Sequence, residues 1–178
     1  MPQETSEQLH RVRWTARRRW LMLGGGLLFC LGLHALREWR ATHSLLINLT
    51  HSLPNWAFLL EEDRMPARGD YIFFTPPQNA LVRAHFGEKA PPFGKLVLGM
   101  PGDLVAHSGE VVTINGRPVA TMKARTRLGE PLTPGRTGLV PQGCYYAGSA
   151  HKDGFDSRYA EIGFVCGTQV IGTGVPVL

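Results

Sequence analysis

The sequence predicts a mostly β domain behind a single apolar helix that spans a membrane. Three observations carry that reading. The chain's 21 glycines and 13 prolines are spread between runs rich in Val, Ile, Leu, Phe and Tyr, which marks many turns between short strands. Residues 20–36 carry no formal charge and follow directly on Arg17, Arg18 and Arg19. Asn115-Gly116 separates two strand-like runs, the strongest short-range signal of a tight hairpin.

Taken in order, residues 1–19 read as a basic cytoplasmic tail, with five Arg set against Glu4 and Glu7. Residues 20–39 read as the transmembrane anchor. Trp20 and Trp39 bracket it, and at about 1.5 Å per residue it reaches roughly 30 Å, the thickness of a hydrocarbon core. Arg37 and Arg40 can snorkel to the far headgroups. A cleaved signal peptide shares this tail and core. Cleavage after Ala35 or Ala41, however, would place Leu33 or Trp39 where a small residue is required, so an uncleaved anchor is expected. The arginine cluster sets the tail inside and residues 40–178 outside, a single-pass arrangement. The net charge of +5 comes from the front of the chain. From Ala41 onward basic and acidic residues nearly balance, which excludes a nucleic-acid surface and leaves proteins and membrane lipid as partners.

The outer domain opens on Asn48-Leu49-Thr50-His51-Ser52-Leu53-Pro54. Pro54 pushes Leu53 toward an extended conformation, so Thr50 and Ser52 are expected to share one face beside a cavity. Residues 56–60 read as a core strand, the alternative being a surface that dips into headgroups. A turn over residues 65–70 leads to a strand over residues 71–75, stopped by Pro76 and Pro77. Residues 78–92 read as a loop or short helix. Lys95 opens an apolar strand, Leu96-Val97-Leu98, and Gly99-Met100-Pro101-Gly102-Asp103 then turns tightly. A lysine at the mouth of a buried strand can lose its hydration, which lowers its pKa and makes a neutral amine available as a base. The hairpin occupies residues 109–119, and residues 121–138 read as a polar surface loop. Further strands are expected from residue 140 and over residues 164–166 and 169–172. Between them lies Asp156-Ser157-Arg158-Tyr159.

Ser-x-Pro, then Lys with a Gly-x-Pro-Gly-Asp turn, then Asp-Ser-Arg-Tyr, in that order behind one anchor, resembles the type I signal peptidases, a family of Ser/Lys serine proteases. The resemblance runs from residue 48 to about residue 172. It is closest to the TraF-type pilin peptidases of conjugative transfer, whose Asn-x-Thr/Ser-x-Ser-x-Pro entry is matched by Asn48, Thr50, Ser52 and Pro54. The resemblance implies a signal-peptidase-like antiparallel β domain with Ser52 as nucleophile and Lys95 as general base. It also implies an oxyanion hole made by the Thr50 hydroxyl and the Ser52 backbone N–H. Asp156, Ser157 and Arg158 would orient the lysine or brace the site, with His151 a further candidate. The expected substrate is an exported precursor, either a conjugative pilin that is matured and cyclised or the clientele of a general leader peptidase. The rival from another class is a catalytically inactive bitopic subunit of a secretion or conjugation channel, in contact with that machinery's other components.

The chain departs from the family pattern at three places. Gly154 stands where the family often has serine, Ser149-Ala150-His151 follows Gly148 in place of Asp-Asn-Arg, and Trp56 replaces a usual glycine. Cys144 and Cys166 flank the third box. A disulfide there would clamp the strands around Asp156 and Ser157 in an oxidising compartment, two free buried thiols being the alternative. The cysteine spacing fits no zinc or haem pattern, and no metal or cofactor is expected.

Overall fold

The computed structural model describes residues 16–47 and 53–177, arranged as a unit ending at Ala41 and a unit beginning at Thr42. The first unit is α1 (Ala16–Thr42), whose Leu21, Leu23, Leu27, Leu28 and Phe29 are all exposed. This helix is long and apolar enough to cross a membrane.

In the second unit the described strands are β1 (His43–Ile47), β2 (Ala57–Glu61), β3 (Tyr71–Phe74), β4 (Phe93–Gly99), β5 (Leu104–Ser108) and β6 (Val111–Ile114). They continue with β7 (Arg117–Thr121), β8 (Gly138–Leu139), β9 (Cys144–Gly148), β10 (Val165–Cys166) and β11 (Val170–Pro176). A larger sheet runs β1-β2-β11-β3-β4-β9-β10 and a smaller one β7-β6-β5-β8, with every pairing antiparallel. The mostly β, antiparallel architecture is therefore the one expected.

Alternation decides what each strand buries. Along β4, Phe93, Lys95, Val97 and Gly99 turn inward while the residues between them stay partly exposed. Phe93 and Val97 join Ile72, Phe74, Tyr145, Ala147 and Val165 in one core, closed over by Val82 of the short helix α2 (Ala80–Phe86). That helix starts on Asn79, whose Oδ1 accepts the Val82 N–H at 2.9 Å, an ordinary side-chain N-cap. A second core under the smaller sheet gathers Val105, Val112, Ile114, Val140 and Tyr146. A third holds Leu53, Phe58, Leu60 and Phe73. Fully buried Phe58 and Phe74 each contribute about 1.5–3 kcal/mol by leaving water.

The expected hairpin is β6–β7, with Asn115 at φ +51° and Gly116 at +77°, the left-handed pair that a tight two-residue turn requires. Residues 56–60 do form core strand, except that Trp56 itself is 56 % exposed. Two expectations need correction. Lys95 is the third residue of β4 and sits inside the strand, because pairing with β3 begins already at Phe93. Residues 121–138 are no free loop: Met122 is buried, Lys123 N–H donates to the Tyr159 hydroxyl at 3.0 Å, and Gly135 N–H donates to the Arg158 carbonyl at 2.8 Å.

Cys144 and Cys166 face each other across β9 and β10 and are joined by a disulfide. With a sequence separation of 22, the cross-link is expected to add roughly 3 kcal/mol by restricting the unfolded chain. Reduction should lower the urea midpoint accordingly, and a thiol reagent should reach these two cysteines only after reduction.

Candidate active site

Of the residues the sequence singled out, Lys95, Asp156, Ser157 and Arg158 come together at the end of β9. Asn48, Thr50, His51 and Ser52 lie outside the described residues. Leu53, bonded directly to Ser52, is buried against Phe58, Leu60 and Phe73. It lies over Gly94, the neighbour of Lys95, so closely that a Cβ on Gly94 would stand 3.0 Å from Leu53 Cδ1 and 2.8 Å from Phe73 Cε1. A side chain at position 94 would therefore push aside the ends of Leu53 and Phe73 that pack over the Lys95 strand.

Lys95 is 5 % exposed, and among the described residues it has no ion-pair partner. Burial pulls its amine below the ordinary lysine value of 10.5; Asp156 opposes the shift and Arg158 assists it. Burial prevails because the Asp156 charge is already answered. Arg158 Nε donates to Asp156 Oδ1 at 2.8 Å and Nη2 donates to Oδ2 at 2.9 Å, a two-pronged pair with both side chains almost wholly out of water. The pair is satisfied on every side. Arg158 Nη2 also donates to the Ser149 carbonyl at 2.7 Å, and Nη1 donates to the Thr121 carbonyl at 3.2 Å. Asp156 Oδ2 accepts the Ser149 backbone N–H at 3.1 Å. Lys95 therefore faces a neutralised ion pair and a dry wall, which together weaken its hold on the proton.

Ser157 braces the site from behind. Its Oγ accepts the Ala147 N–H at 3.0 Å, and its own N–H donates to the Ala147 carbonyl at 3.0 Å, which fastens the third box to β9. His151 closes its own turn, its Nδ1 accepting the Asp153 N–H at 3.1 Å. The Gly-x-Pro-Gly-Asp turn is likewise architectural. Asp103 accepts Met100 N–H at 2.6 Å, Arg68 Nη2 at 2.5 Å and Asn115 Nδ2 at 2.7 Å, which fixes the exit of β4.

Ser149 is the residue that sequence reasoning passed over. It is 1 % exposed, and its hydroxyl donates to Asp156 Oδ2 at 3.3 Å. The last β4–β9 pair is Leu96 with Gly148, so continuing the antiparallel register by one residue sets Ser149 opposite Lys95. Its hydroxyl also accounts for Gly154. A Cβ at position 154 would land on Ser149 Oγ and stand 2.7 Å from both Arg158 Nη2 and Asp156 Oδ2. The space a serine at 154 would need is filled by the serine at 149. Only the strand register reveals this exchange, and no spacing in the sequence signals it. No group of His, Cys, Asp and Glu able to hold a metal occurs among the described residues.

The model of the family described as signal peptidase, peptidase S26, matches residues 17–178. Among solved structures, a signal peptidase I from Enterococcus faecalis V583 is similar at 26 % identity and a TM-score of 0.39, over 62 % of this chain and 97 % of that one. No curated protein matches the sequence.

Proposed function

The chain belongs to the S26 signal peptidase family, and on that premise we propose that it is a leader peptidase working through a Ser52–Lys95 dyad. A signal peptidase acts on exported precursors. In this reading the Ser52 hydroxyl attacks the scissile carbonyl while Lys95 Nζ takes its proton, because a serine hydroxyl is a poor nucleophile until a base relieves it. Asp156 then favours the ammonium as it forms. The Thr50 hydroxyl and the Ser52 N–H hold the developing oxyanion, each such donor contributing about 2.7–4 kcal/mol. The ammonium passes its proton to the leaving amine. Water, or an amine end of the substrate, then releases the acyl group.

One observation carries the proposal: a lysine buried near an already-paired acid, on the strand over which Leu53, the residue after Ser52 in sequence, packs. Residues 1–19 serve as the inner tail, residues 20–39 as a single-pass anchor and residues 40–178 as the outer catalytic domain. The Cys144–Cys166 bridge suits an oxidising compartment. The Asn48, Thr50, Ser52 and Pro54 pattern favours the TraF-type branch, hence maturation and cyclisation of a conjugative pilin, with contacts to that apparatus. Mass spectrometry of the processed precursor tests this directly. A circular product supports the pilin reading, a linear one moves the chain to general leader peptidases, and an intact precursor removes the proposal.

The pH profile gives a second measurement. Only the neutral amine can accept the serine proton, so cleavage should rise with pH through a midpoint below 10.5 and then level off. A rate that stays flat from about pH 6 to about pH 10 would rule out a lysine base with a midpoint in that interval.

A further inference from the structure

Beside the third box lies an open cavity of about 890 Å³, within the range of ligand-binding clefts and lined in part by Gly154, Phe155 and Tyr159. Its floor is aromatic. Phe155 stacks between Phe86 and Tyr159 at centroid distances of 6.4 and 6.2 Å, and Leu132 fills in beside them. Leu128 stands on its lip 77 % exposed, a large apolar side chain presented to solvent at the cavity mouth.

The polar groups around the rim are unbalanced. Lys123, Arg125 and Arg127 line the cavity with a single carboxylate, Asp153, among them. Asp153 is already engaged: Lys123 Nζ and Arg127 Nη2 both donate to it, the latter at 2.5 Å. Arg125 has only the Gly129 carbonyl, at 2.7 Å, among the described residues. Because His151 Nδ1 accepts a backbone N–H, its ring carries a proton on Nε2 and offers one more donor. The rim therefore presents positive charge and donors above an apolar floor, and the acids at it are engaged: Asp153 with Lys123 and Arg127, and Glu130, just outside the lining, with His85 and Thr126.

We infer that this cavity is an exosite for the precursor, holding a segment in which a carboxylate sits next to a large apolar side chain. The inference rests on the peptidase reading, since Gly154 joins the two sites. Its one side abuts Ser149, Asp156 and Arg158, and its other side lines the cavity. In this reading a precursor engaged at Lys95 extends past Gly154 into the cavity. The apolar side chain settles on Phe155, and the carboxylate meets Arg125 and His151.

The test uses the full chain in detergent micelles, with a fluorescein-labelled Asp-Phe-Glu-Leu peptide as probe and a Lys-Phe-Lys-Leu peptide as control. Fluorescence anisotropy should show the acidic peptide binding, weakening with added salt, and the basic one failing to bind. Arg125→Glu and Leu128→Asp, both at exposed positions, should each weaken the probe by about tenfold. The same variants should raise KM for the precursor by a similar factor and leave kcat unchanged. Equal binding of both peptides, or variants that bind and cleave like the unaltered chain, would overturn the exosite. So would displacement of the probe by phosphatidylglycerol at matching occupancy, which would give the cavity to a lipid. Binding is read without cleavage, so a chain that binds the probe but processes no precursor would fail as a peptidase, and the precursor would fall with it as the occupant.

Discussion

Lys95→Ala should lower precursor cleavage by about 10³-fold or more, a loss of roughly 4 kcal/mol of transition-state stabilisation, with the domain still folded. Ser52→Ala should do the same, and the double variant should be no worse than either single one, because the two groups act as a unit. Lys95→Arg is the sharper case. A guanidinium keeps the charge and much of the length but cannot shed its proton, so it should be as inactive as alanine. Lys95→Met fills the same dry pocket with no charge and should be inactive yet at least as stable to urea as the parent. Stability and activity must therefore part company at this position. Processing at the parental rate by Lys95→Arg would mean that the residue supplies charge, and the lysine base would be lost. Near-parental cleavage by Ser52→Ala would remove the nucleophile.

Arg158→Met should cost the most in stability. It strands the Asp156 carboxylate in a fully buried site, a defect expected to be about 3–5 kcal/mol and visible as a large fall in the urea midpoint. Pairing it with Asp156→Asn should recover most of that loss, since no charge is then left without a partner. A second reading comes from the lysine. Arg158 helps hold the Lys95 pKa down and cancels the Asp156 field, so removing it strengthens the case for the ammonium. Whatever activity survives should rise at a higher pH than in the parent. An unchanged urea midpoint would show that the pair is not the brace described here, and an unchanged pH profile would show that it does not govern the amine.

The sequence made the architecture legible wherever turn chemistry is local. Asn115-Gly116 and the Gly99–Asp103 region announce their turns because left-handed backbone and proline leave few alternatives. β1 escaped notice for a physical reason. It follows α1 with no breaker between them, and as an edge strand it leaves Leu45 and Ile47 exposed, so neither a turn nor a buried alternation marks it. The third box was readable as a motif but not as a structure. What holds it are bonds from Arg158 and the Ser157 backbone to main-chain carbonyls of Thr121, Ser149 and Ala147, groups every residue carries and no composition reveals. The same blindness made residues 121–138 look like a loose loop. Ser149 was hidden because its role depends on which residue of β9 lies opposite Lys95, a matter of register.

The burial of Lys95 has a consequence for the life of the protein. In a nascent or unravelled chain that amine is hydrated and protonated, an inert cation like any surface lysine. On the proposed dyad, its chemistry would switch on only when β4, β9 and the third box have closed around it. A chain still unfolded would thereby carry this lysine as an ordinary cation, and the base would exist only in the finished domain.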